Sequence, residues 1–446
     1  MKNLNGIIVL VLACIGLFVS SCQKDEDIEG CIDYLATNYD EDATVGDGSC
    51  IYSLVQEVEI DGVTYSSIQG SFTTDYTLTA DTEWLLNGVV TVSAGQKLTI
   101  EEGAVITSDP NDEIDFLVVE NGATISAEGT SSNPIVFTSL TPEAGSFGGV
   151  VINGNALTNN DSDEGACGVG SYGGSDNADD AGKFRYIRVE YGGGCSEEGT
   201  AGGIVLNAVG EETKVEYIQS YRSAGDGIVI NGGSVNLKYA VAFNSSEDNF
   251  DFIDGWRGKG QYWVGLNTEV GLGDSGIESD NNETNPNAEG YTKPTISNVI
   301  LIGTDSGLND NAAVRLSNGT KGNFYNFMVK NYPKGVQVEG DDAIAHIAND
   351  DLSFEHSIVK VVNEAFIVLA TDGSELTDTD FTDLEANTNS LIGSTTDSYI
   401  QTLQNGATDP TNLIAGDDFF ETSGALPFIG AVLNGEDWTE GWAIMQ

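Results

Sequence analysis

The chain has 446 residues and a formal net charge of -53, from 17 Lys and Arg against 70 Asp and Glu. A field of that sign repels nucleic acid and anionic lipid surfaces and attracts cations, Ca²⁺ foremost. Hydrophobic residues still make up 40% of the chain, so the acid does not signal disorder, and 55 Gly against 8 Pro suits many tight turns between short strands.

Residues 1–21 read as a secretory signal. Lys2 supplies the charged start, and Ile7 to Val19 is an apolar run too short for a comfortable membrane span. The run ends in Val19-Ser20-Ser21-Cys22, small residues before one cysteine. This resembles a bacterial lipobox, which implies that Cys22 becomes the lipidated N-terminus. Several acyl chains on one cysteine suffice for stable anchoring. Residues 22–29 form an acidic linker, and Gln23-Lys24-Asp25-Glu26-Asp27 resembles the lipoprotein surface-export signal of Bacteroidetes. That resemblance implies an outer-membrane lipoprotein facing the cell exterior.

The remaining cysteines sort into pairs. Cys14 leaves with the signal, Cys31 lies near Cys50, and Cys167 lies near Cys195. In an oxidising exported compartment both pairs are expected as disulfides. Residues 30–52 bracket an oxygen-rich loop between Cys31 and Cys50. Asp33, Asn38, Asp40, Asp42 and Asp47 are the hard ligands that Ca²⁺ prefers. No glutamate closes the loop as an EF-hand requires. The segment resembles a cysteine-bracketed repeat of flavobacterial surface proteins, itself similar to thrombospondin type 3 calcium repeats. A disulfide-pinned acidic spacer is the alternative.

From about residue 75 the chain repeats itself. The segments "VEYIQSYRSAGDGIVINGG" (215–233), "LKYAVAFNSSEDNFDFIDG" (237–255) and "FYNFMVKNYPKGVQVEG" (324–340) each hold a strand, a polar corner, a second short strand, then Gly or Asn. Val205 and Val229, then Val314 and Val336, mark a step of roughly 22 residues. Strands this short bury no face alone, but stacked coils do. The expected fold is all-β, a right-handed parallel β-helix over 75–430, with a β-sandwich as the alternative. Ile204, Ile228, Val314 and Val336 are expected to point inward, and Asn231 and Asn318 to stack at corners. Residues 53–74 are expected to cap the start. Residues 431–446, with Trp438 and Trp442, are expected to cap the end.

The stretches "GGVVINGNA" (148–156) and "NSSEDNFDFIDGWRGKGQYW" (244–263) resemble the right-handed β-helix lipoproteins of Bacteroidetes, whose fold is shared with pectate lyases. That resemblance carries no secure activity. A lyase needs a cation to neutralise a uronate and a base to take the adjacent proton. Asp248, Asp251 and Asp254 are the candidate calcium ligands, with Arg257 or Lys259 as base. The simpler reading makes all five structural. His346 and His356 are the two histidines, and neither lies in a Gly-His-Gly. Tyr262, Trp256 and Trp263 are candidates for stacking on sugar faces or for the core. The primary expectation is a non-catalytic surface lipoprotein that contacts a glycan or a partner. The alternatives are a calcium-dependent polysaccharide lyase and an accessory subunit of an outer-membrane transport or secretion complex.

Overall fold

The computed structural model describes residues 28–32, 38–49, 53–111, 114–160, 166–195, 201–304, 311–361, 363–375, 399–401, 406–422 and 426–446. They fall into two compact units, Met1–Ser53 and Leu54–Gln446.

In the first unit Glu29–Gly30 pairs in parallel with Val45–Gly46. Cys31 is buried and disulfide-bonded. Its expected partner Cys50 lies outside the described residues, as do Cys22 and the signal. Asp40 Oδ1 accepts from the Asp42 amide at 3.0 Å, and Asp47 Oδ1 accepts from the Ser49 amide at 2.8 Å. Asn38 donates to the Ser49 carbonyl at 2.6 Å. These are turn-forming side-chain bonds of the kind Asp and Asn make locally. No three His, Cys, Asp or Glu converge to hold a metal ion among the described residues. Asp33 lies outside them.

The second unit is a right-handed parallel β-helix. An antiparallel hairpin, Val55–Ile60 with Val63–Phe72, stands at its start. Every later ladder within the stack is parallel, and each coil contributes to three of them. Sheet A runs through Gly149–Asn153, Ile204–Asn207, Ile228–Asn231, Phe250–Ile253, Ile277–Asp280, Ala312–Ser317, Lys334–Glu339 and Glu364–Leu369. Sheets B and C are the two halves of longer strands, among them Gly182–Glu190, Lys214–Tyr221, Asn236–Phe243, Lys259–Leu266, Thr295–Ile302 and Gly322–Lys330.

Between those halves one residue per coil turns left-handed: Tyr186, Tyr217, Tyr239, Tyr262, Asn298 and Asn326, with φ between 50° and 61°. For an L residue that conformation costs roughly 1–2 kcal/mol. The rings of Tyr186, Tyr217 and Tyr239 stack at 4.2 Å per step, and such pairs return about 0.5–1.5 kcal/mol each. The bend between sheets B and C is thus built by a side-chain ladder.

The interior follows the alternation expected of strands. Ile204 pairs with Ile228, and Ile277, Val314 and Val336 continue the same inward row through Phe250. Trp256 and Trp263 are fully buried, their rings 6.1 Å apart, and Tyr262 is buried as well. Core packing, not sugar stacking, is their role here. Asn231 donates to Asn207 and Asn207 to Asn153, each at 2.8 Å, an amide ladder at the sheet A corner. Asn318 does not join one; its amide donates to Asp280 Oδ2 at 2.8 Å.

The C-terminal tail does not lie over the end of the stack. Trp442 packs edge-on against Tyr186 and Tyr217, in the first half of the helix, and Arg188 donates to the Trp442 carbonyl at 2.8 Å. The tail therefore lies along the flank. Past the Lys334–Glu339 strand a short helix, Asp341–Ala348, buries Ala343, Ile344 and Ile347 beside the last coils. No helix among the described residues is long and apolar enough to cross a membrane.

Candidate functional site

Sheet A decides where polar chemistry is displayed. Its outward row, read in register, is Val118, Val151, Val205, Val229, Asp251, Glu278, Arg315, Gln337. The first half is apolar and covered. Val169 and Ala201 pack on it, and the Cys167–Cys195 disulfide, with Cα atoms 5.8 Å apart, ties that cover down. The second half carries charge on successive coils, whose strands lie about 4.8 Å apart.

The turns before two successive sheet A strands, Ile228–Asn231 and Phe250–Ile253, add carboxyls. Asp226 and Asp248 stack there, with Asp226 Oδ1 accepting from the Asp248 amide at 2.8 Å. Burial, together with the charges of Glu247, Glu278 and Asp274, pushes the Asp226 carboxyl up to about 7. Burial also holds Asp248 and Asp251 well above the usual carboxylate range, with Asp226 and Glu278 adding to both. Asp248 is hydrogen-bonded to Glu278. Burial raises Glu278 too, against the opposing pull of Asp248 and Arg315.

Arg315 bridges this cluster to the next coil. Its Nη1 lies 2.7 Å from Glu278 Oε1 and its Nη2 lies 3.0 Å from Glu339 Oε2. Beyond it opens a cleft of about 400 Å³ lined by Arg315, Ser317, Asn318, Glu339, Asp342 and Thr371, among others. Three of the side chains of this lining donate within the protein. Ser317 and Asn318 both donate to Asp280, and Arg315 is held by its two glutamates. The carboxylates of the lining accept in turn: Glu339 from Arg315 and Gln337, and Asp342 from Asn287 at 2.9 Å.

The five residues expected from sequence divide. Asp248 and Asp251 join the cluster. Asp254 stands at the corner after it, where burial pushes its carboxyl up to about 6 although Asn160 donates to it at 2.8 Å. Arg257 is exposed on the turn toward sheet B. Lys259 begins a sheet B strand, and its Nζ pairs with Asp417 Oδ2 at 2.6 Å. Neither base candidate shares a face with Asp251. Asp226, Glu278, Arg315 and Glu339 were not singled out from sequence. The long excursions before Ile277 and Ala312 hide the register of Glu278 and Arg315 from a count along the sequence.

Residues 70–443 match the family model of the pectate-lyase like beta helix domain. The chain belongs to that family. The match spans the whole coil stack and most of the tail, so the polar half of sheet A is part of the family domain. No curated protein and no solved structure matches the chain.

Proposed function

We propose that this β-helix is a non-catalytic lipoprotein of the outer membrane, held by Cys22 and facing the cell exterior, that binds uncharged glycan at the sheet A cleft. The observation that carries the reading is the charge of the lining: Glu339 and Asp342 stand in it, and its one cation, Arg315, is already held by Glu278 and Glu339. Such a surface suits a ligand rich in hydroxyl donors and repels a uronate carboxylate. The chain's net charge of -53 acts in the same direction. The lipid anchor and outward address rest on Val19-Ser20-Ser21-Cys22 and the acidic run after it. Calcium binding by residues 30–52 belongs to the same proposal and rests on the five oxygen-bearing side chains of that loop.

Titration of purified protein with neutral and with uronate oligosaccharides tests the reading. Binding of neutral oligomers, weakened in Glu339→Gln and absent for uronates, is the expected result. Preference for uronates would overturn it.

A calcium-dependent lyase is the second reading, supported by Asp226, Asp248, Asp251 and Glu278 on neighbouring coils up to Arg315, although no three of these carboxyls converge to hold a metal ion. It requires the appearance of unsaturated sugar when calcium and a uronate polymer are supplied. Loss of that activity in Asp251→Asn but not in Lys259→Ala would then move the base away from sheet B.

A further inference from the structure

Sheet C carries an outward row that a solvent-facing β-helix would not show. From Gln219 it runs Val241, Val264, Ile300, Met328, Ile358. All five apolar members are buried, packed with Ile429, Ala431, Val432 and Trp442 of the tail. The tail makes two passes along this flank. The first goes from His356, whose Nδ1 lies 2.8 Å from the Gly406 carbonyl, to Tyr262, whose hydroxyl donates to the Glu421 carbonyl at 2.9 Å. The chain then returns to Asn298 and Asn326 at Phe428 and Gly430, and passes again to Arg188 at Trp442.

The tail is held mainly by its backbone. The Asn326 side chain donates to the Thr408 carbonyl at 3.0 Å and accepts from the Thr408 amide at 2.9 Å. Gln261 does the same to Glu421 at 2.6 and 3.0 Å, and Gln219 to Ile444 at 2.6 and 2.8 Å. Each side-chain amide thus supplies the pair of bonds that a neighbouring β-strand would supply. Bonds of this kind recognise main chain whatever its side chains, while the apolar row and the tyrosine ladder select for aromatic anchors such as Trp438 and Trp442. The amides stand on coil strands whose own ladders are complete without the tail.

We propose that the flank of sheets B and C is a binding site for a peptide main chain, that residues 406–422 and 426–446 belong to the peptide it holds, and that the site persists when this peptide leaves. The inference is independent of the glycan reading, which concerns sheet A.

The test uses the full chain with a protease recognition sequence inserted between residues 375 and 399. After cleavage the tail is expected to co-elute with the coil stack, to leave in mild urea, and to rebind as a labelled synthetic peptide after dilution. Combined Gln219→Ala, Gln261→Ala and Asn326→Ala should weaken rebinding at least about tenfold, since six main-chain bonds are removed. Loss of the β signal in circular dichroism when the tail leaves would make the tail an integral layer of the core and overturn the proposal. So would failure to rebind, or rebinding that the triple variant leaves unchanged.

Discussion

Asp226→Asn is the most informative single change at the carboxylate cluster. The substitution keeps the side chain's shape, and its oxygen still accepts from the Asp248 amide at 2.8 Å. It removes a charge that sits half-buried beside Glu247, Glu278 and Asp274. In the folded parent, this carboxyl keeps its proton up to about 7, against an ordinary value of 3.8. At about 1.4 kcal/mol per tenfold, the folded state loses roughly 4 kcal/mol relative to the unfolded chain once the group is ionised. The sign follows from the raised value. Below about pH 4 both states are protonated and nothing is lost. Stability then falls as pH rises through 7, and stays low above it. The asparagine variant carries no such loss. It should match the parent near pH 4 and exceed it by up to about 4 kcal/mol at pH 8. Urea unfolding followed by tryptophan fluorescence at pH 4, 6 and 8 measures this directly. A variant less stable than the parent at pH 8, or an offset independent of pH, would refute the reasoning.

Other substitutions probe the rest of the molecule. Joint replacement of Cys167 and Cys195 by serine should lower the unfolding free energy by about 3–4 kcal/mol, and reductant should reproduce the loss in the parent. Trp263→Ala removes a fully buried indole that donates to the Leu237 carbonyl at 3.0 Å; a loss of about 3–5 kcal/mol is expected in the same urea experiment. Lys259→Ala breaks the partly exposed pair with Asp417 and the contact of its ammonium with the Phe419 ring, 5.4 Å from the ring centre, so stability should change by about 2 kcal/mol or less and glycan titration should be unaltered. Cys22→Ser should abolish incorporation of labelled fatty acid and move the protein from the membrane to the soluble fraction. Terbium luminescence on the parent and on Asp40→Asn with Asp42→Asn reads calcium-type binding in the N-terminal loop; equal signals from both would remove those residues from the ligand set.

The coil architecture was legible because it is a local and repeated rule. Alternation sets Ile204 and Ile228 inward, the roughly 22-residue step stacks them, and Gly or Asn marks the corners. Asp248 and Asp251 were legible together only because they are close in sequence, one in the turn and one on the strand that follows it. The rule could not carry the count onward, because the stretches between Ile253 and Ile277, and between Asp280 and Ala312, are longer than the step. Glu278 and Arg315 sit just past those excursions, so their register with Asp251 is invisible until the coils are stacked. Lys259 shows the converse. It is close to Asp251 in sequence but lies past a corner, and a corner turns neighbours onto different faces.

The tail marks the other limit. Composition and position made Trp438 and Trp442 look like an end cap, since an open solenoid end needs one. The stronger demand came from Val241, Val264, Ile300, Met328 and Ile358, one from each of five coils and apolar on the outward side. Period and alternation, which act between near neighbours, were enough for the sequence by itself to determine a β-helix of stacked short strands. Which side chains meet across coils, and which flank the last residues must cover, was decided only by the stacked structure, because those contacts join residues more than a full coil apart.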